Sequence, residues 1–276
     1  MKLSCLPVSY FRDIIEGRMS VKDWALEGVR AGLDGIDLSI LFLKSRSPEY
    51  LEKLRKEISE AGIRVAMITT YPDFTNPDPD ERERELLKLQ EDIVTASELG
   101  ADLLRVTAGQ AHPGVGREEG IEWAVSGLMK ATHFARQYPV KLVYENHAKP
   151  GAWKYTDFSH PTDIFLSIVE RTTSVSLGVN WDTANTIAYG DDPIPVLRKI
   201  VNRVVSIHAA DTSTRGQLKP VLLGTGLVPF KEMFTILRRA GFDGWICIEE
   251  ASFTGRAGVR AAADFVRRTW NESAPR

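Results

Sequence analysis

Val175-Ser176-Leu177-Gly178-Val179-Asn180-Trp181-Asp182 alternates a mostly bulky apolar set (Val175, Leu177, Val179, Trp181) with a small or polar one (Ser176, Gly178, Asn180, Asp182). Neighbouring residues of a strand point to opposite faces. The run therefore predicts a strand with one apolar face and, on the other, a carboxylate at its C-terminal end. Seven further short apolar or β-branched runs read as strands: Leu3–Leu6, Gly35–Ser39, Val65–Thr69, Leu103–Thr107, Lys141–Glu145, Val204–Ala209 and Trp245–Glu249. Segments with helical periodicity lie between them: Val21–Ala31, Pro48–Ala61, Glu81–Leu99, Glu118–Gln137, Thr162–Arg171, Pro193–Val201, Phe230–Ala240 and Val259–Trp270. Ser47-Pro48 supplies an N-cap and a first-turn proline, and Gly62, Gly100 and Gly241 mark helix stops.

Eight strand–helix units in 276 residues predict an α/β fold, a (β/α)8 TIM barrel, as a single domain over residues 1–276. A doubly wound sheet is the structural rival. It would usually carry a glycine-rich phosphate loop after its first strand, and Pro7-Val8-Ser9-Tyr10-Phe11 is nothing like one. Lys and Arg total 35 against 37 for Asp and Glu, which argues against a dedicated nucleic-acid binder. No apolar stretch approaches the roughly 18 residues of a membrane helix, and Met1–Pro7 reads as too short and mixed for a signal peptide. Cys5 and Cys247 both sit in apolar runs and read as buried reduced thiols of a cytoplasmic protein, which excludes a disulfide scaffold.

Carrying the alternation along the later strands puts Glu145 and His147 on one face, Ser206 and His208 together, and Cys247 and Glu249 together. With Asp182, four consecutive strands deliver Glu145, Asp182, His208 and Glu249 to the rim where barrel active sites are built. Three carboxylates at about 4 Å would repel by roughly 4 kcal/mol per pair at an effective dielectric near 20, so either they protonate or a cation sits among them. One imidazole with three carboxylates favours Mn²⁺ or Mg²⁺ and leaves Zn²⁺ or Co²⁺ open.

At these residues the chain resembles the xylose isomerase-like TIM-barrel superfamily, the sugar phosphate isomerases/epimerases. The segments that carry the likeness are Leu142–His147, Gly178–Asn185, Ser206–Asp211 and Ile246–Glu250, with Gly35–Leu38 and Leu223–Gly226 in support. The resemblance implies one divalent metal held by Glu145, Asp182, His208 and Glu249, with Glu145 and Glu249 exchanging protons with the substrate. Substrate contacts fall to Arg105, His147, Asn185, Asp211 and Arg215. Asn185 stands where epimerases often carry His, and Ala210-Asp211 where Lys-Asp is common. Arg105 reads equally as a partner of Asp37 inside the barrel, and His147 as a residue that orients a carboxylate.

Such a site implies an isomerase or epimerase of a small sugar or sugar-like α-hydroxy carbonyl compound, working through an enediolate. If a β-hydroxyl leaves instead, the same start gives a dehydratase of the 3-dehydroshikimate or inosose kind, the principal alternative. A barrel that binds metal and ligand without turnover is a third reading. A DNA endonuclease of the same superfamily, with its many histidine ligands, fits poorly a chain with five His. The partner expected is a small-molecule, sugar-like substrate, with no nucleic acid and no membrane, and homo-oligomers are common in the family. Trp153, Tyr155 and Phe158, in the loop 148–160, read either as a wall against water above the site or as ordinary loop packing, and Gly224-Thr225-Gly226 reads as a turn before it reads as a phosphate loop.

Overall fold

A computed structural model describes residues 1–149 and 151–274. Residue 150, in the loop 148–160, and residues 275 and 276, at the end of the expected domain, lie outside the described residues. The strands are β1 (Lys2–Leu6), β2 (Gly35–Ser39), β3 (Arg64–Thr69), β4 (Leu103–Val106), β5 (Lys141–Glu145), β6 (Gly178–Asp182), β7 (Val204–Ala209) and β8 (Trp245–Glu249). They form one parallel sheet in the order β1-β8-β7-β6-β5-β4-β3-β2. The ring closes between β1 and β2. There Asp34 N donates to Leu3 O at 2.8 Å, Leu3 N to Asp34 Oδ2 at 2.8 Å, and Ser4 Oγ to Asp37 Oδ2 at 3.0 Å. The fold is a (β/α)8 barrel.

The helices are α1 (Phe11–Ile15), α2 (Val21–Arg30), α3 (Pro48–Glu60), α4 (Pro79–Glu98), α5 (Arg117–Ala135), α6 (Thr162–Arg171), α7 (Asn185–Tyr189), α8 (Pro193–Ile200), α9 (Phe230–Arg239) and α10 (Arg256–Glu272). Their starts carry local signals. Ser20 and Asp23 form a capping box on α2, and Ser47 and Asp78 cap α3 and α4, each ahead of a proline. Among the described residues, none is long and apolar enough to cross a membrane. One departure concerns the sixth strand, which starts at Gly178 instead of Val175. The Arg203 guanidinium gathers the carbonyls of Val169, Thr172 and Leu177, and so holds the approach to β6 as a turn.

Strand parity sorts the core into two regions. Val179 and Trp181 face the helices, where Trp181 meets Phe165 of α6 at 6.4 Å between ring centroids. Inside the barrel, Ala66, Met67, Leu103, Val143, Trp245 and Cys247 form a separate plug at the N-terminal end. Gly35 is required there, because a Cβ would lie 2.8 Å from the Trp245 ring. Above the plug the interior turns polar, with Ser4, Asp37, Arg105, Glu145, Asn180 and Ser206 all buried. Cys5 and Cys247 are free and buried.

Candidate functional site

Glu145, Asp182, His208 and Glu249 converge at the C-terminal mouth, each offering one ligand atom within 4.8 Å of the others. The ladder makes this happen: Asp182 pairs with His208 in register, and β7 pairs with β8 through His208 and Cys247. His208 Nδ1 lies 2.5 Å from Glu145 Oε1 and 3.1 Å from Glu249 Oε1. Asn180 Nδ2 donates to Glu145 Oε1 at 3.0 Å, and Ser206 Oγ donates in turn to Asn180 Oδ1 at 2.7 Å. Asp182 Oδ1 accepts the amides of Ala184 and Asn185 at 2.8 and 2.7 Å, which leaves Oδ2 for another partner.

Burial raises the carboxyl pKa of Glu145, but the charges of His208 and Arg105 outweigh it and hold Glu145 down at about 2. For Asp182, burial and then the charges of Glu249 and Glu145 push the carboxyl well up. Burial opposes the His208 imidazolium, yet Glu145 and Glu249 override it and raise that pKa well above the ordinary value. With His208 neutral and all three carboxyls ionised, as ligands to a cation, the cluster would carry more negative charge than Arg105 alone offsets. His208 Nε2 is buried without a hydrogen-bond partner. One imidazole and three carboxylate oxygens in this space fit a divalent cation of the hard to borderline kind.

Arg105 pairs with Glu145, Nε to Oε2 at 3.0 Å, and not with Asp37. The register decides this, since Arg105 is opposite Val143 and reaches Glu145 on the same face, while Asp37 is taken up by Ser4. The Arg105 guanidinium also donates to Thr70 O at 2.9 Å and stacks 4.7 Å over Tyr71. His147 Nδ1 is 3.7 Å from Asp157 Oδ2. Burial, with the Arg105 charge, lowers His147 to about 4, and burial raises Asp157 to about 8 despite hydrogen bonds from Ser159. At neutral pH the imidazole is neutral and the carboxyl keeps its proton.

A cavity of about 480 Å³ opens above the cluster, and Arg105, His147, Asp182, Asn185, Asp211 and Glu249 reach it. Glu145 does not line it and is sealed at 0%, whereas the Glu249 side chain is 24% exposed. Asn185 Nδ2 donates to Asn146 O, while Asn146 brackets Asp182 by accepting from its N–H and donating to its C=O. Thr183 Oγ1 and Ala210 exchange hydrogen bonds at 2.6 and 3.0 Å, which ties the end of β6 to that of β7.

Two residues expected at the substrate are engaged with the backbone. Asp211 borders the cavity, but its oxygens accept the amides of Thr212, Gly224, Gly226 and Val228. This also explains Gly224-Thr225-Gly226, whose glycine amides are spent on Asp211. The Arg215 guanidinium donates to Gly190 O and Asp191 O and is absent from the cavity wall. The loop 148–160 borders the cavity through Ala148, Lys149, Gly151 and Ala152, but its aromatic residues do not: Phe158 packs under Gly120, and Trp153 and Tyr155 flank His147 and His112. The wall is aliphatic, with Leu6, Val8, Ile15 and Leu41 joined by the ring of Phe11. Sequence reasoning missed them, although the spacing Val8, Phe11, Ile15 is that of one helix face.

Barrel, mouth cluster and cavity together define a TIM barrel with a candidate metal site at its mouth. The xylose isomerase-like TIM-barrel family profile matches residues 27–269, and the chain belongs to that family. Inosose dehydratase of Clostridium tetani (strain Massachusetts / E88) is 26% identical over 259 residues, covering 83% of each chain. Among solved structures, the IOLI protein with a bound zinc atom superposes with TM-score 0.78 at 17% identity, covering 100% of both chains. D-psicose 3-epimerase from Clostridium cellulolyticum H10, solved with D-tagatose, gives TM-score 0.78 at 14% identity, covering 98% of this chain and 99% of that one.

Proposed function

We propose that the protein is a metal-dependent dehydratase, a lyase acting on a small sugar-like ketone with a hydroxyl β to its carbonyl. One observation carries the reading: of the two glutamates expected to exchange protons, Glu249 faces the cavity and Glu145 is sealed beneath it. Epimerisation moves a proton between opposite faces of one carbon and needs an open group on each side. Dehydration needs one base and one donor to the leaving hydroxyl. The likeness to inosose dehydratase supports the same branch.

Glu145, Asp182, His208 and Glu249 would hold the divalent cation, for which Mn²⁺ or Mg²⁺ suit the carboxylates and Zn²⁺ the imidazole. When bound, it supplies positive charge that polarises the substrate carbonyl. The rest is done by this chain's own groups. Glu249, through the oxygen not engaged by His208, takes the proton α to the carbonyl. Arg105, buried and charged, offsets the negative charge that develops on the substrate. His147 Nε2 passes its proton to the departing β-hydroxyl, which leaves as water. Asp157, holding its own proton 3.7 Å away, resupplies Nδ1. The C–H pair is held first in an enolate of the substrate and becomes the new C=C bond when the C–O bond breaks; Glu249 ends with the α proton and Asp157 without its own, so atoms and charge balance.

The test is to incubate metal-loaded protein with cyclic and open-chain β-hydroxy ketones in deuterated water, following ultraviolet absorbance and exchange at the α-carbon. A conjugated product is expected. Glu249→Gln should lose exchange and product together, by about a hundredfold or more. His147→Gln should keep exchange and lose elimination by a similar factor. Exchange that yields an epimer or isomer and no absorbing product would move the assignment to the isomerase branch, and silence on every ketone would remove the enzyme reading.

A further inference from the structure

The cavity is two-sided. Glu249, Asp182, Arg105, His147 and Asn185 occupy its floor and one flank, whereas Val8, Phe11, Ile15 and Leu41 on one side and Leu218 and Val221 on the other give it apolar walls. Ile15, Leu41 and Leu218 are 49%, 45% and 40% exposed, among only nine large hydrophobic residues that stand exposed in the described chain. They come from the segment after β1, the segment after β2 and the loop after β7, so their meeting at one opening is a product of the fold. Phe253, 73% exposed, does not line the cavity, although its backbone N–H donates to Ser9 Oγ beside Val8.

Apolar side chains that converge at a site mark a ligand or an interface. A polyol with a hydroxyl on every carbon fits this mouth badly. Hydroxyls turned toward Ile15, Leu41 and Leu218 find no protein donor or acceptor, whereas an apolar group there takes its own surface and that of the wall out of water. The volume, about 480 Å³, lies in the range that encloses ligands of drug size. Because the apolar walls share one continuous cavity with Asp182 and Glu249, the two open members of the cluster, a single small molecule spans both.

We infer that the substrate is amphipathic: a polyhydroxy ketone whose carbonyl sits at the Glu145–Asp182–His208–Glu249 cluster, carrying an aryl or alkyl group that packs against Phe11, Ile15, Leu41 and Leu218. The inference rests on the catalytic reading above and specifies its substrate class. Lys149, at the cavity rim, is left over for a polar substituent at the junction of the two halves.

The test compares, by calorimetry on the Mn²⁺-loaded protein, a keto-glucoside bearing a phenyl group, the same keto-glucoside bearing a methyl group, and a cyclic keto polyol hydroxylated at every other carbon. The phenyl compound should bind at least about tenfold more tightly than the methyl one, about 1.4 kcal/mol. In a Leu41→Asn, Leu218→Asn double variant whose circular dichroism and melting are those of a folded barrel, the preference should fall to about threefold or less. Equal binding of the two glucosides, tightest binding by the polyol, or a dimer that dissociates in the double variant would overturn the inference. If the polyol is turned over without any phenyl preference, this inference alone fails. If none of the three binds or reacts, the catalytic reading falls with it.

Discussion

In this site a proton stands where a cation would be held. His208 Nδ1 lies between two carboxylate oxygens, 2.5 Å from Glu145 and 3.1 Å from Glu249, so the ring nitrogen carries hydrogen. Burial disfavours the imidazolium, but Glu145 and Glu249 outweigh it and keep His208 protonated well above its ordinary range. Burial and the same two glutamates push Asp182 up as well. Metal ligands bind deprotonated, so an ion reaches Nδ1 and the Asp182 carboxylate only as both protons leave. Each ion bound should therefore release about two protons. While both groups are protonated, affinity should climb about a hundredfold per pH unit, which is about 2.7 kcal/mol. Calorimetric titration with Mn²⁺ in buffers of different ionisation enthalpy counts the protons directly. Asp182→Asn should release about one proton and halve the slope in log affinity. Binding without proton release, or the same release from both proteins, would refute the reasoning.

Two further outcomes concern stability. Asp157 is raised by burial to about 8, against about 3.9 in an unfolded chain. The folded state thus holds a proton that the unfolded state has lost between those values. The resulting stabilisation is complete below the lower value and disappears as pH rises through the upper one, by about 1.4 kcal/mol per unit. Urea unfolding at several pH values between the two should show stability falling more steeply in the wild type than in Asp157→Asn by about this slope, since Asp37 and Asp92, raised by burial to about 7, add the same decline to both proteins. Parallel profiles would remove the assignment. Asp211→Ala strips the acceptor from four backbone amides. With water reaching the two glycines, the loss should be about 2–4 kcal/mol, and a change under about 0.5 kcal/mol would show that the loop does not depend on Asp211.

The barrel was legible because parallel strands buried on both faces leave short apolar runs, and each helix between them carries its own cap or stop. The start of the sixth strand was misread because Val175 and Leu177 continue the alternation. What bends that segment is Arg203, which no local pattern reveals. The five-residue helices α1 and α7 are too short to show a period. Glu145, Asp182, His208 and Glu249 were readable as a group, since parity and strand ends fix where they point. The partner of Arg105 was not, because it depends on how β4 lies against β5. Nor was the difference between Glu145 and Glu249, which comes from the depth of each in the mouth. The aliphatic wall was invisible for a related reason: Val8, Phe11 and Ile15 come from the segment after β1 and Leu41 from the segment after β2, and only the closed ring brings them to one opening.

The bracket of Asn146 and Asn185 around Asp182, and the stitch from Thr183 to Ala210, join the tips of β5, β6 and β7. Leu6, Val8, Ile15 and Leu41 contribute only apolar contact to the facing arc. One half of the rim is thus a rigid workbench, while the other is a replaceable jaw. New molecules can be admitted by exchanging aliphatic side chains on the jaw, with no hydrogen bond that holds the reacting groups being disturbed. A library confined to positions 8, 15 and 41 should accordingly yield altered appetites far more often than dead barrels.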